Sequence, residues 1–266
     1  MMRVRIPLLV IALFPALAGA QPTESTDDSR GPEVKQDTAR EETTSTADVG
    51  SEDESARKPS YPIWIPPKRG APVDRLIGGA TREGSPAELP EIRALVPMQA
   101  ALTLRAQPTL YWYLAESVQT PVTLTVVLEG SSDPLVDTKI AGPLTAGIQP
   151  VRLTDFGVRL ESGPLYKWFI VIREPYGGEP GRITGGTIER IEPTNELSAS
   201  LAAASSDQEA FILAENGIWY DAVAVLSEQV DASPTEEAPK LRRAAFLESA
   251  GLEGFGDWER STATRP

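Results

Sequence analysis

Short runs of β-type residues recur between Ile92 and Ile191, and their spacing constrains the fold more than any other feature of this sequence. Each run is bounded by Gly, Pro, Asp or Ser, which favour turns. The pattern predicts seven strands, at residues 92–96, 109–115, 122–129, 135–140, 148–153, 165–173 and 182–191. This spacing is typical of an all-β sandwich and not of strands that alternate with helices.

The run at 122–129 alternates most clearly, with Val122, Leu124 and Val126 on one face of an extended chain and threonines on the other. Trp112 and Trp168 fall on faces that we expect to point inward, where the side chains of two sheets interdigitate. We therefore predict a mostly β fold. It comprises an immunoglobulin-like antiparallel β-sandwich domain at residues 61–193, whose first part is an irregular Pro- and Gly-rich segment.

After Pro193 the hydrophobic period changes from two residues to about 3.6, which predicts a helical C-terminal region at residues 194–266. We expect helices at 196–204, from 206 to Asn216-Gly217, from 218 to 230, and at 238–250. The stretch from Gly217 to Ala222 resembles the first helix of a tetratricopeptide repeat. Because stable repeat arrays need about three units or more, a short tetratricopeptide-like cap on the sandwich is the prediction.

The first 20 residues have the order of a cleavable signal peptide, with Arg3 and Arg5, then an apolar run, then Ala18-Gly19-Ala20. Residues 21–60 are acidic and nearly free of large apolar side chains, which is typical of a disordered leader. We expect a periplasmic or secreted protein. No later apolar stretch is long enough to span a bilayer, so we expect no stable membrane insertion after signal cleavage.

The sequence contains no His and no Cys, and its formal net charge is -13. The missing imidazole and thiol remove the usual general base, the usual zinc ligands and the common nucleophile pairs, so most hydrolase mechanisms are excluded. The negative charge disfavours nucleic acid as a partner. These observations favour a protein that is not an enzyme and that needs no cofactor or metal.

With these segments in place, the chain resembles a bacterial family designated domain of unknown function 928. The matching features cover almost everything after residue 60. They are Pro66-Pro67-x-Arg69-Gly70-x-Pro72, the Gly-rich stretch from Arg75 to Arg82, Leu95-Val96-Pro97, Thr109-x-x-Trp112-Tyr113, Tyr166-x-Trp168, Gly186-x-Ile188-x-Arg190, and the stretch from Ala214 to Ala222. The resemblance implies a shared architecture and an export signal, and it implies no reaction.

Positive charge opposes the overall sign of the chain in a single aromatic-flanked stretch near the start of the predicted domain. Arg can grip carboxylates with two hydrogen bonds and Trp can stack on a sugar face, so this stretch is a candidate site for an acidic glycan or an acidic protein. The alternative, which we favour, is that its arginines pair with carboxylates of their own domain. The candidate binding residues are Trp64, Lys68, Arg69, Arg75 and Arg82.

Paired carboxylates are the main catalytic alternative, because a glycosidase uses two acids about 5 to 10 Å apart. Glu174 and Glu189 form the best pair in the sequence, since adjacent strands would bring them together; Glu161 and Glu192 are further candidates. Solvated acids at strand ends are the simpler interpretation. The Ser55-x-x-Lys58 pattern and the glycine pairs Gly177-Gly178 and Gly185-Gly186 are interpreted as chance and as strand or loop glycines, respectively.

The sequence thus predicts an exported protein that acts as a non-enzymatic interaction module of the cell envelope and binds an envelope protein or an acidic glycan. A carboxylate-dependent carbohydrate-active enzyme is the first alternative. A structural subunit of an envelope complex is the second.

Overall fold

Strands fill the region in which the sequence predicts them. The computed structural model describes residues 61–68, 89–99, 101–173 and 180–263, all within the unit Glu54–Pro266. The predicted signal peptide and the whole of the predicted acidic leader therefore lie outside the described residues. Eight strands occur in this part of the chain: β1 (Ile92–Ala94), β2 (Ala101–Thr103), β3 (Thr109–Leu114), β4 (Val122–Leu128), β5 (Pro134–Ile140), β6 (Gly147–Arg152), β7 (Leu165–Arg173) and β8 (Pro180–Arg190).

The strands form two sheets. The larger sheet has five strands in the order β2-β8-β7-β4-β5, and the smaller has three in the order β1-β3-β6. Five of the six strand pairs are antiparallel, whereas β2 runs parallel to β8 and pairs Ala101 with Ile188. The prediction of wholly antiparallel sheets was therefore wrong at this edge. The run of three residues in β2 is too short to show alternation, and its partner lies far along the chain.

Alternation along the strands builds the core as expected. In β4, Val122, Leu124 and Val126 are fully buried while the intervening threonines are half-buried. Trp112 and Trp168 are also buried, at 1% and 0% exposed, and belong to one continuous apolar cluster. The two sheets approach each other beside β1 and β8, where the Ala94 amide donates a hydrogen bond of 2.7 Å to Thr184 Oγ1.

Five helices follow the sheets in the described residues: α1 (Asn195–Ala203), α2 (Ser206–Glu215), α3 (Trp219–Ala232), α4 (Glu237–Ser249) and α5 (Glu253–Ala263). Helix α2 begins at Ser206 as predicted, and Ser205 before it forms a capping box with Gln208, in which each side chain accepts a hydrogen bond from the other residue's backbone amide. Helix α5 was not predicted, because Gly254 and Gly256 within its first turns are poor helix formers.

Each helix contacts the next one along the chain, and α3 also contacts β2 and β3. Helices α3 and α5 both contact β3, in which Tyr111 is buried as well as Leu110, Trp112 and Leu114. Tyr113 of β3 meets Phe255 and Trp258 of α5 edge-on, with ring centroids 5.2 and 5.3 Å apart. No helix among the described residues is long and apolar enough to cross a membrane.

Candidate binding groove

The first described segment, residues 61–68, is an extended strap that lies on the helices. Pro62, Pro66 and Pro67 restrict its backbone, and two backbone amides fasten it. Trp64 N donates to Ser249 Oγ over 3.0 Å, and Ile65 N donates to the Ala214 carbonyl over 3.1 Å. The strap is thereby held beside the turn that joins α2 to α3.

Trp64 anchors the strap by burying its side chain. The residue is 5% exposed, and its ring meets Trp219 edge-on at a centroid distance of 5.5 Å. Trp219 in turn stacks on Phe246 at 4.8 Å, so an aromatic series joins the strap to α3 and α4. In this structure the Trp64 ring is part of the core and is not presented for stacking on a sugar.

The turn at Gly217 lets the strap come close to the helices. Gly217 has φ of +72°, the left-handed conformation that the Asn216-Gly217 sequence predicts for a helix end. A Cβ atom at this position would lie 3.0 Å from Pro67 Cδ and 3.1 Å from the Ile65 carbonyl oxygen. Glycine is therefore required at position 217 for two reasons: the backbone has a positive φ, and the strap leaves no room for a side chain.

A groove of about 400 Å³ opens where this turn and the strap meet the end of β8. Its apolar lining includes Leu102 and Ile218, which are buried, and Leu197 of α1. Charged and polar side chains complete the wall, with both signs of charge represented. The polar side chains are those of Lys68, Ser162, Glu189, Glu192, Thr194 and Asn216.

The backbone around the groove is well tied. Gly163 N donates to the Arg190 carbonyl over 2.8 Å, and Ile191 N donates to the Thr103 carbonyl over 2.9 Å. Thr194 caps α1 by accepting a hydrogen bond of 3.1 Å from Leu197 N. The guanidinium of Arg190 forms an ion pair of 2.5 Å with Glu192. Because secondary structure holds these walls, a ligand would meet a preformed surface.

The structure brings together only some of the predicted site residues. Lys68 lies in the groove, whereas Arg69, Arg75 and Arg82 lie outside the described residues, so their proposed role stays a prediction. Of the acidic candidates, Glu189 and Glu192 line the groove, exposed Glu161 does not, and Glu174 lies outside the described part of the chain.

Of the other sequence patterns, the Gly185-Gly186 pair lies within the described residues and the rest do not. Ser55, Lys58 and the Gly177-Gly178 pair lie outside the described residues. Gly185 lies in β8, where a Cβ atom would be 2.1 Å from the Trp168 carbonyl oxygen, so this glycine serves strand packing.

Sequence reasoning missed Ser162, Thr194 and Asn216 as groove residues. Thr194 and Asn216 are polar residues at the start and the end of predicted helices, and this position is the only signal that the sequence offers. Ser162 precedes β7 and carries no motif. The three become neighbours of one groove only through the fold.

A buried carboxylate outside the groove, Asp221 of α3, has a structural role. Asp221 accepts hydrogen bonds from Leu104 N at 2.7 Å and from the Thr103 hydroxyl at 3.1 Å, and it pairs with Arg105 at 3.2 Å. Burial raises the pKa of Asp221 above its ordinary value, although these partners oppose the shift. Its contacts fasten α3 to the chain that follows β2.

A buried ion pair joins α4 to α5. Arg243 donates two hydrogen bonds, of 2.8 and 2.7 Å, to the Glu259 carboxylate, and a third, of 3.1 Å, to Ser227 Oγ of α3. Both charged residues are buried, so neither is presented to a ligand. Within the described residues, no group of three or more His, Cys, Asp or Glu side chains is placed to hold a metal ion.

Comparisons with known proteins complete the description. No curated protein matches the chain significantly. One solved structure, a crystal structure of an engineered protein, is similar at 13% identity with a TM-score of 0.26; the match covers 38% of this chain and 20% of that one. The family described as "Domain of Unknown Function (DUF928)" matches residues 77–259, which include both sheets and nearly all of the helical region. The protein belongs to the DUF928 family.

Proposed function

We propose that the protein is a non-enzymatic interaction module of the cell envelope, which binds an extended segment of another envelope protein in the groove beside the strap. The observation that carries this proposal is the combination of an apolar lining with charged groups of both signs in one groove. An extended polypeptide offers apolar side chains, charges and backbone hydrogen-bonding groups together.

The charges in the groove favour a protein segment over an acidic glycan. Lys68 supplies positive charge, but Glu189 and Glu192 line the same groove and would repel a polyanion. Trp64, the side chain suited to stacking on a sugar, is buried against Trp219. We therefore choose a polypeptide with apolar and charged side chains as the partner class.

The proposal includes export to the periplasm or the medium and a finer description of the fold. Export rests on the signal-peptide pattern at residues 1–20. An immunoglobulin-like sandwich with a tetratricopeptide-like cap is supported by the contact between the two sheets and by the sequential packing of the helices. In this description the groove lies where sandwich, cap and strap meet.

The test uses the full-length chain with a photo-crosslinking side chain at position 68, mixed with native envelope extract. Crosslinked peptides are identified by mass spectrometry. The control carries the same probe at position 152, where Arg152 is exposed on β6. We expect one reproducible partner from position 68, none from position 152, and at least a tenfold loss of crosslinking in Glu189→Lys.

Two outcomes would count against the proposal. Equal labelling from both positions would mean that the groove is not the contact surface. Competition by an acidic polysaccharide would reverse the choice between a polypeptide and a glycan partner.

A carboxylate-dependent carbohydrate-active enzyme stays the alternative, because Glu189 and Glu192 line the same groove. Turnover of envelope glycans by the purified chain, abolished in Glu189→Gln, would favour the enzyme. A structural subunit of an envelope complex is the remaining alternative, and it predicts that the protein is found only in a larger assembly when cell extracts are separated by size.

A further inference from the structure

Four strands form the edges of the two sheets in the described part of the chain, and one of them is suited to pairing. Strands β1 and β2 have three residues each, and β6 has Pro150 in its interior, where an amide donor is missing. Strand β5 has seven residues, with its proline in the first position. A bulge at Leu135 follows the proline, and residues 136–140 then leave the longest uninterrupted row of backbone groups at the edge of either sheet.

The sequence of β5 is self-complementary about Thr138. In an antiparallel pair of two copies centred on Thr138, Asp137 of each copy lies opposite Lys139 of the other. Residues directly opposite each other have Cβ atoms about 4.5 to 5.5 Å apart, which is within reach of an ion pair. The two-fold symmetry creates this ion pair twice.

The other face of β5 is complementary as well. Val136 and Ile140 pair with Val126 and Val122 of β4, which are fully buried, so they lie on the core side of the sheet. In the same antiparallel arrangement Val136 of each copy lies opposite Ile140 of the other. The pairing therefore places apolar beside apolar on one face and acid beside base on the opposite face.

The charges also select the register. Asp137 and Lys139 are exposed, and they share the outer face with Thr125 and Thr123, their partners in β4. If the two strands were shifted by two residues, Asp137 of one copy would lie opposite Asp137 of the other, or Lys139 opposite Lys139, and like charges would repel. A shift of one residue would turn the apolar residues to the wrong face. Both alternative registers are therefore less stable than the register centred on Thr138.

From this geometry we infer that the β5 edge is a self-association surface, through which two copies of the chain join their larger sheets into one continuous antiparallel sheet. Charged edge strands commonly prevent pairing. Here the two opposite charges, two residues apart, favour one two-fold partner.

The interface is short, so the dimer forms reversibly. One pair of seven-residue strands falls in the size class below about 1,200 Å², which is typical of transient complexes. Sedimentation velocity of the full-length chain at about 1 to 200 µM is the measurement, because this range brackets a micromolar dissociation constant. We expect a monomer–dimer equilibrium in which the dimer fraction rises with concentration.

Charge reversal tests the register. In Asp137→Lys, the introduced lysine of each copy would face Lys139 of the other, and in Lys139→Asp the facing residues would both be aspartates. Each single variant should therefore weaken dimerisation about tenfold. The double swap Asp137→Lys with Lys139→Asp restores both ion pairs and should restore the dimer. A mixture of the two single variants should form a heterodimer more readily than either variant pairs with itself.

Glu116→Lys serves as the control, since Glu116 is exposed outside the strands and its reversal changes the net charge as Asp137→Lys does. We expect this variant to dimerise as the unmodified chain does. The inference is overturned if the unmodified chain stays monomeric over the whole range, if single reversals leave the equilibrium unchanged, or if the double swap fails to restore it. If the β5 edge pairs only with a strand of a different protein, the unmodified chain will stay monomeric over the whole concentration range.

Discussion

Helices α1 and α3 show how differently two helices of one small region can be placed. In α1 only Leu197 is buried, whereas ten residues of α3 are buried, including Asp221 and Ser227. Helix α3 contacts strands β2 and β3 and helices α2 and α4, whereas the main helix contact of α1 is with α2. A helix with nine consecutive buried residues, 219–227, must satisfy the polar side chains among them internally.

The polar residues of α3 meet this requirement through specific partners. Tyr220 accepts a hydrogen bond from Trp168 Nε1 and donates one to the Thr187 carbonyl, both at 2.8 Å. Burial raises the pKa of Tyr220, so its hydroxyl keeps its proton. Trp219 Nε1 donates to the Leu95 carbonyl at 2.9 Å. Helix α3 is thus the central element of the helical region and α1 a peripheral one.

The largest effect is expected from Trp219→Ala. The change removes a fully buried ring that stacks on Phe246 and contacts Trp64, so we expect a loss of about 4 kcal/mol in the free energy of unfolding. Urea unfolding followed by circular dichroism is the measurement. As a control, Trp258→Ala on α5 removes a half-buried ring and should cost less than half as much. Equal losses would contradict the central role of α3.

A smaller effect, with a defined pH dependence, is expected from Asp221→Asn. The new amide nitrogen would be buried beside donors, and we expect a loss of about 2 kcal/mol at neutral pH. Unfolding at several pH values, compared with Glu228→Gln on the exposed side of α3, is the measurement.

The sign of the pH dependence follows from the raised pKa of Asp221. The folded chain binds the proton more tightly than the unfolded chain, so Asp221 loses stabilisation as the pH rises from about 3.9 through its folded pKa. The unmodified chain should therefore gain stability relative to Asp221→Asn as the pH falls through this window. The proposed effect of burial would be contradicted if the difference in free energy of unfolding between the unmodified chain and Asp221→Asn stayed constant with pH or shrank as the pH fell.

The smallest effect is expected from Leu197→Ala in α1. Leu197 is the one buried residue of that helix, at the rim of the groove, so the surroundings can adjust and we expect a loss below about 2 kcal/mol, the lower end for a buried leucine. Thermal unfolding measured beside Leu201→Ala, which alters a half-buried leucine of the same helix, sharpens the estimate. A loss as large as that of Trp219→Ala would place α1 in the core and remove the contrast between the two helices.

Much of the secondary structure could be predicted, because periodicity is a local property. The predicted strand at 165–173 coincides with β7, and the Asn216-Gly217 signal marks the end of α2 correctly. Strand β2 and helix α5 were missed for the same physical reason. Their local signals are weak, and contacts with distant residues stabilise them.

The candidate groove could be predicted only in part. Lys68 and Glu189 were singled out for separate functions, as a basic contact and as a carboxylate, and the fold places them in one groove. Trp64 was predicted to be available for binding, yet it packs on Trp219. Exposure depends on which distant residues come to cover a side chain, and a local pattern does not contain this information.

The alternation of β4, the positions of most strands and helices, and the left-handed turn at Gly217 could be predicted from the sequence alone, because neighbouring residues in the chain set these features. Three features required the folded chain: β2 joins β8 in parallel, most of α3 is buried, and the strap meets the end of β8 at a groove. Each of these features depends on contacts between residues far apart in sequence, and such contacts form only when folding brings the residues together.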